Sequence, residues 1–329
     1  MRLPGSRPIS LPTWLAVGWL LLVGSIGLLA PWLPLPFAPA VPDLLHVSEA
    51  PTWRAVPRHW LGTDPGGRDV LAELVFGAQQ LVCLSLPAAI LATAIGALAG
   101  GAAGFWGNRG LRLPAAAWLL ALSAGWWMWA LPGGPVVAWL LLGAAVSTWA
   151  LGRQHLLVSQ LSFALPLDSL FQLLLTLLGA VPRLVLVLLL AAGPPLSFLQ
   201  FLLVLTAIAW PEAARQVRAY MLRARQLPFV EAAHALGLPT ARVWLRHALP
   251  YACQSLRFTA PLSLAGLIAL ENTLAFLGVG RPPDVSSWGR LLGTLRQDPS
   301  AWWLLASAGG TLLLTLLSLQ QLARRSPQK

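Results

Sequence analysis

The stretch Pro228-Phe229-Val230-Glu231-Ala232-Ala233-His234-Ala235-Leu236-Gly237, followed by Arg246-His247-Ala248-Leu249-Pro250, has the residue types of a helix that docks rather than one that reacts. Pro228 suits a first helical turn, Glu231 is favourable near that positive end, and Gly237 is a natural stop. Thr240 is placed to cap a second short helix that Pro250 ends. Small alanines flanked by Phe229, Val230 and Leu236 make a compact surface for a partner's groove; an amphipathic helix lying on a bilayer is the plainer alternative. Elsewhere charge is sparse. Arg183 and Glu271 sit inside apolar runs, where charge is costly, which points to a solute path or a mutual pair, against a buried structural pair or an Arg reaching to the interface. Glu212 and Arg215, three residues apart, read as a structural ion pair. Arg68 and Asp69 lie in a polar loop and could meet a partner or brace the loop.

Several chemistries are excluded. The only lysine is Lys329, so no phosphate-cradling Gly-Lys-Ser/Thr loop is possible and any ATP must be bound by another chain. There is no nucleophile elbow, no zinc-ligand cluster of the usual spacing and no His-Glu-x-x-His helix, so neither an enzyme nor a metal site is expected. Cys83 and Cys253 are expected to be small buried apolar residues.

The elements that would position these residues are membrane helices. Hydrophobic residues make up 57% of the chain and charged residues 10%, with a mean hydropathy of +0.70. A water-soluble domain of this length needs roughly a quarter of its residues charged, so most of this surface must face lipid. The net charge of +11 is divided among short clusters between apolar runs, which is the positive-inside pattern and not the single patch of a nucleic-acid binder.

Apolar runs of about 18 or more residues predict an all-α integral membrane bundle of about eight transmembrane helices. They cover 13–30, 79–105, 114–131, 135–152, 168–192, 197–217, 256–277 and 301–320. The first run resembles a signal peptide with a cleavage site at Ala38-Pro39-Ala40, but its apolar core exceeds the usual roughly 7 to 15 residues and favours an uncleaved anchor. The organisation expected is an N-terminal anchor and polar extracytoplasmic loop over 1–75, a core over 76–108 and 166–325, and an inserted hairpin over 109–165. The most basic segment, 218–250, is placed in the cytoplasm, with both termini on the same side.

Glu231-Ala232-Ala233, then Gly237 and Leu249-Pro250, resembles the EAA loop of binding-protein-dependent ABC import permeases. Glu212-Ala213-Ala214 lacks the following Gly and carries no such weight. Leu61-Gly62-Thr63-Asp64-Pro65-Gly66-Gly67-Arg68-Asp69-Val70, Arg246-His247-Ala248-Leu249-Pro250, and Leu274-Ala275-Phe276-Leu277-Gly278-Val279-Gly280 with Ser287-Trp288-Gly289 resemble the C-type partner of the dipeptide/oligopeptide/nickel branch. The resemblance covers residues 55–108 and 166–325. It implies a six-helix type I core in the bacterial inner membrane, a sister permease, two cytoplasmic ATPase subunits and an extracytoplasmic solute-binding protein, with membrane lipid around it. It also implies no cofactor on this chain, di- or oligopeptides or nickel as cargo, and alternating access. Glu231, Ala232, Ala233 and Gly237, with Leu249 and Pro250, would form the ATPase-coupling element. The hairpin over 109–165, rich in Trp, departs from the family pattern and keeps a rival reading open, a non-transporting or accessory membrane scaffold.

Overall fold

The computed structural model describes residues 11–52, 59–108, 112–114, 162–164, 166–180 and 193–324. They are helical apart from one three-residue antiparallel ribbon and connecting loops. The chain divides into two compact units, residues 1–101 with 178–329, and residues 102–177.

In the larger unit α1 spans Leu11–Leu29 and α2 spans Val70–Gln80, continuing through a π-turn at Leu81–Ser85 into α3, Leu86–Trp106. In the smaller unit β1, Arg112–Pro114, pairs with β2, Ser162–Ala164, in the register Leu113 opposite Phe163. Just beyond, Ser169 donates its N–H to Asn108 Oδ1 and accepts from Asn108 Nδ2, each at 2.9 Å. Ser169 lies in the first turn of α4, Leu167–Ala180, whose last residues fall in the larger unit. The two predicted hairpin spans, their tryptophans and Arg183 lie outside the described residues, and the fifth span is described only to Ala180.

The chain resumes with α5, Phe198–Ala224, started by a capping box in which Ser197 Oγ accepts from Gln200 N and Gln200 Oε1 accepts from Ser197 N. Four short pieces follow: α6, Pro228–Ala235; α7, Thr240–Val243; a π-turn at Trp244–Ala248; and α8, Leu249–Cys253. Then come α9, Leu256–Phe276, and α10, Trp288–Gly293. The chain ends in α11, Trp302–Leu304, a π-turn and α12, Gly310–Ala323.

Five described helical stretches are long and apolar enough to cross a membrane: Leu11–Trp32, Val70–Trp106, Phe198–Ala224, Thr240–Phe276 and Trp302–Ala323. They match five of the eight predicted spans. The second helix begins nine residues earlier than its predicted span, because Asp69 caps it, so residues 70–75 are helix and not loop. Outward faces carry unpartnered bulk, such as Leu11, Leu21 and Leu199 at 73%, 67% and 62% exposure, which in a bilayer contacts lipid and costs nothing. Cys83 is on such a face and Cys253 is half-buried, contrary to the buried setting expected of both.

Three contiguous cores among the described residues hold the larger unit together, the smallest being Ala265, Ile268 and Leu319 between α9 and α12. Val23, Val70, Ala78, Trp288, Leu291, Trp303 and Leu304 join α1, α2, α10 and α11. Leu84, Ala88, Phe201, Leu205, Leu267 and Leu274 join the second helical stretch to α5 and α9. Gly96 and Gly100, one turn apart, bring α3 onto Ala213 and Ala214 of α5; a side-chain carbon at Gly100 would overlap the Ala214 carbonyl. That small-on-small contact is how membrane helices gain packing without a hydrophobic driving force. It also explains the second Glu-Ala-Ala: its alanines are interface, while Glu212 pairs with Arg215 at 3.1 Å on the exposed side.

Candidate coupling site

The helix α6 is an eight-residue element held off the bundle by short turns. Its N-terminus follows directly from α5, through the bond from Leu227 N to Ala224 O, and Pro228 occupies the first helical turn. Glu231 lies in that turn near the positive end of the helix, as expected. The C-terminus closes by two bonds, from Gly237 N to His234 O at 2.9 Å and from Leu238 N to Ala233 O at 3.3 Å. This six-to-one with five-to-two pattern needs a left-handed residue at its corner, and Gly237 has φ +74°.

The helix therefore shows two faces. Val230 and Ala233, at 3% and 6% exposure, turn inward. Glu231, Ala232 and Leu236 turn outward, and Leu236 is 80% exposed, an isolated apolar side chain with nothing of this chain covering it. Of the three motif residues only Glu231 and Ala232 are thus offered to a partner, and Ala233 anchors the helix to its own chain. Phe229 is partly exposed, with its ring centroid 5.6 Å from that of Tyr251 in α8.

Behind α6 the chain departs from the simplest sequence expectation. Thr240 is the first residue of α7 rather than its cap; Pro239 holds the cap position and no side chain closes that end. Pro250 does not end a helix. It falls in the first turn of α8, where the preceding π-turn removes the need for its missing N–H. The result is one nearly continuous rod, α7 to α8, that runs into α9. Leu249 is half-buried with its Cδ1 over Gly101 of α3, Pro250 is exposed, and Ala248 and Ala252 are fully buried. Exposed Arg223, Arg225, Arg242 and Arg246 flank the element along the chain.

The other sequence candidates lie in a second region. Asp69 Oδ2 accepts from Ala72 N and Oδ1 from the His59 ring, both at 2.9 Å, so this residue caps α2 and is 4% exposed. Arg68 donates to the Pro283 carbonyl at 3.3 Å, where Arg290 also donates. Asp64 shapes the turn between them by accepting the N–H groups of Gly66 and Arg68 at 2.8 Å; burial pushes its carboxyl above the ordinary value while those bonds pull it down. Gly67, at φ +75°, completes the turn in close contact with Asp43.

Glu271 is 6% exposed and accepts from Ser287 Oγ at 3.1 Å. Its neighbour Asn272 accepts from Gly289 N at 2.7 Å, fastening α10 to α9. The adjoining cavity, bordered by Gln80, Glu271, Arg281 and Arg290, measures about 20 Å³, room for one water and not for a solute. Of the apolar residues expected on the docking surface, Phe229 and Leu236 are exposed and Val230 is buried, and the meeting of Asp43, His46 and His59 was not signalled by spacing.

Comparison with known proteins gives a consistent family. The model of the family described as binding-protein-dependent transport system inner membrane component matches residues 156–326. A Brucella suis biovar 1 protein named as a peptide permease is similar at 28% identity over 290 residues, 87% of this chain and 75% of its own length. The oligopeptide transport system permease protein OppC of Haemophilus influenzae is similar at 26% identity over 281 residues, 85% of this chain and 71% of its own.

Proposed function

The chain belongs to the binding-protein-dependent transport system inner membrane component family, and from that premise we propose that it is the membrane half of a peptide importer, driven through α6 by ATPases on separate chains. Peptide cargo is supported by the names of the relatives above; nickel, the other cargo implied by the resemblance, has no counterpart among those two. The observation that carries the coupling reading is the outward face of α6, with Glu231, Ala232 and an 80% exposed Leu236 on a helix that starts at Pro228 and is closed at Gly237.

The mechanism follows from connectivity. The element is spliced between α5 and α9, two spans that share a buried core, so a displacement at α6 is delivered to both at once. Packed cores respond as alternatives rather than by gradual deformation, which suits a switch between outward and inward access. The proposed partners are a sister permease, two ATPase subunits facing α6, and a solute-binding protein on the opposite side; the exposed arginines before and after α6 argue for a cytoplasmic position.

The test is co-purification. The chain is expressed with the ATPase and permease subunits encoded beside it, purified in detergent, and compared with a Glu231→Arg, Gly237→Pro double variant. Retention of ATPase by the native chain and its loss from a normally inserted variant is the expected result. Failure of the native chain to retain any ATPase, with the sister permease present, would remove the proposal.

A further inference from the structure

We propose that Asp43, His46 and His59 bind a divalent transition-metal ion of the zinc class in the polar block that precedes α2. This goes beyond the transport reading and does not depend on it. The three side chains come from an irregular stretch, yet their candidate ligand atoms all lie within 4.8 Å of one another. Asp43 is fixed by its backbone, whose N–H donates to Gly67 O at 2.7 Å, and its Oδ1 accepts from Leu45 N at 3.0 Å. That leaves Oδ2 between two imidazoles, 2.9 Å from His46 Nδ1 and 3.6 Å from His59 Nε2. Neighbouring ligand atoms of a tetrahedral site with bonds of about 2.1 Å are about 3.4 Å apart, so the two distances bracket a metal-site edge.

His59 is the strongest element. It is 3% exposed, with its ring stacked on Phe37 at a centroid distance of 4.0 Å. Its Nδ1 pairs with Asp69 Oδ1 at 2.9 Å, which in a neutral ring puts the proton on Nδ1 and the lone pair on Nε2. That Nε2 is buried and has no hydrogen-bond partner, and Asp43 Oδ2 at 3.6 Å is outside hydrogen-bond reach. A buried imidazole nitrogen without a partner is unfavourable, and a metal ion satisfies it. A carboxylate behind the ligating histidine, as Asp69 stands behind His59, is the usual support of such a ligand. His46 and Asp43 are about a quarter exposed, so the site opens on one side, where a water or solvent ligand completes the set. Two imidazoles and one carboxylate suit zinc-class ions and not calcium or magnesium, which take oxygen ligands. The ion would clip the segment around residues 43–46 to the start of α2, as a resident group and not as cargo.

The test uses the full chain, purified in detergent without a histidine tag, stripped with chelator and titrated with Zn²⁺ by calorimetry. The expected result is one ion per chain, with binding weakened at least tenfold in both His46→Ala and Asp43→Asn and unchanged in Glu212→Gln. Both ligand variants replace part-exposed residues, and their unfolding in chelator should match that of the stripped native chain. Co²⁺ loaded in place of Zn²⁺ should give the visible bands of a four-coordinate ion, lost in His46→Ala. Absence of stoichiometric binding by the native chain, or unchanged affinity in either ligand variant, overturns the proposal and leaves His59 as a buried imidazole between two carboxylates.

Discussion

The block before α2 and the segment between α5 and α9 are both polar connections, and they are built in opposite ways. The first is tied to residues far along the chain: Trp303 donates from Nε1 to Thr63 O at 3.1 Å and Ser48 pairs with Asp298, while Trp288 braces the adjoining α2 by donating from Nε1 to Leu74 O at 2.9 Å. Its polar groups are inside, with Thr63, Asp64 and Asp69 all under 5% exposure. The backbone hydrogen bonds of the second stay local, within a few residues, and its charges and Leu236 point outward. One region is a cross-braced cap on the bundle. The other is a rigid but lightly held tab, which is what a partner can grip and move. The contrast predicts that damage to the first is read as stability and damage to the second as assembly.

The largest stability loss is expected from Asp69→Ala. It removes the cap of α2 and leaves the buried His59 ring unpaired, together about 2–4 kcal/mol, read as a fall in the thermal midpoint in detergent. Next is Trp303→Phe, which keeps an aromatic side chain but loses part of the buried indole and its bond to Thr63, at a cost of about 1–2 kcal/mol for the carbonyl left unsatisfied. If both variants unfold like the native chain, the block is not a brace and the contrast fails.

In the coupling segment the steepest effect on local helix stability should come from Gly237→Ala, since the corner of the helix end is left-handed. The strain is about 1 kcal/mol, confined to α6. Circular dichroism should report an unchanged global midpoint while ATPase retention drops, because a frayed α6 no longer presents Glu231 and Leu236 together.

Much of this was legible in the chain. The apolar runs specified the five described spans because bilayer thickness sets helix length independently of tertiary detail. Gly237 announced the end of α6, since only a residue free of a Cβ takes that corner easily. What could not be read is where distant segments meet. Asp69 reads as a loop charge until α2 is seen to start at Val70, and nothing in the spacing around Glu271 announces that Ser287 returns from a later loop to bond it. Pro250 looked like a stop because the π-turn ahead of it, which depends on packing against α3, has no local signature. The cluster of Asp43, His46 and His59 escaped for the same reason, its spacing fitting no ligand pattern.

The smallest stability effect, and the sharpest use of the contrast, belongs to Leu236→Asp. The side chain is 80% exposed and touches no core, so stability should stay within about 0.5 kcal/mol of the native chain. If Leu236 fills an apolar pocket on the ATPase, burying a carboxylate there removes the contact and leaves a charge unpaired. ATPase retention should then fall at least tenfold, about 1.4 kcal/mol or more. A matched Asp substitution at the equally exposed Leu45 of the cap region, 87% exposed, should leave retention untouched. Equal behaviour of the two variants would mean that the outward face of α6 has no special partner, and that the tab and the cap differ only in how they are held.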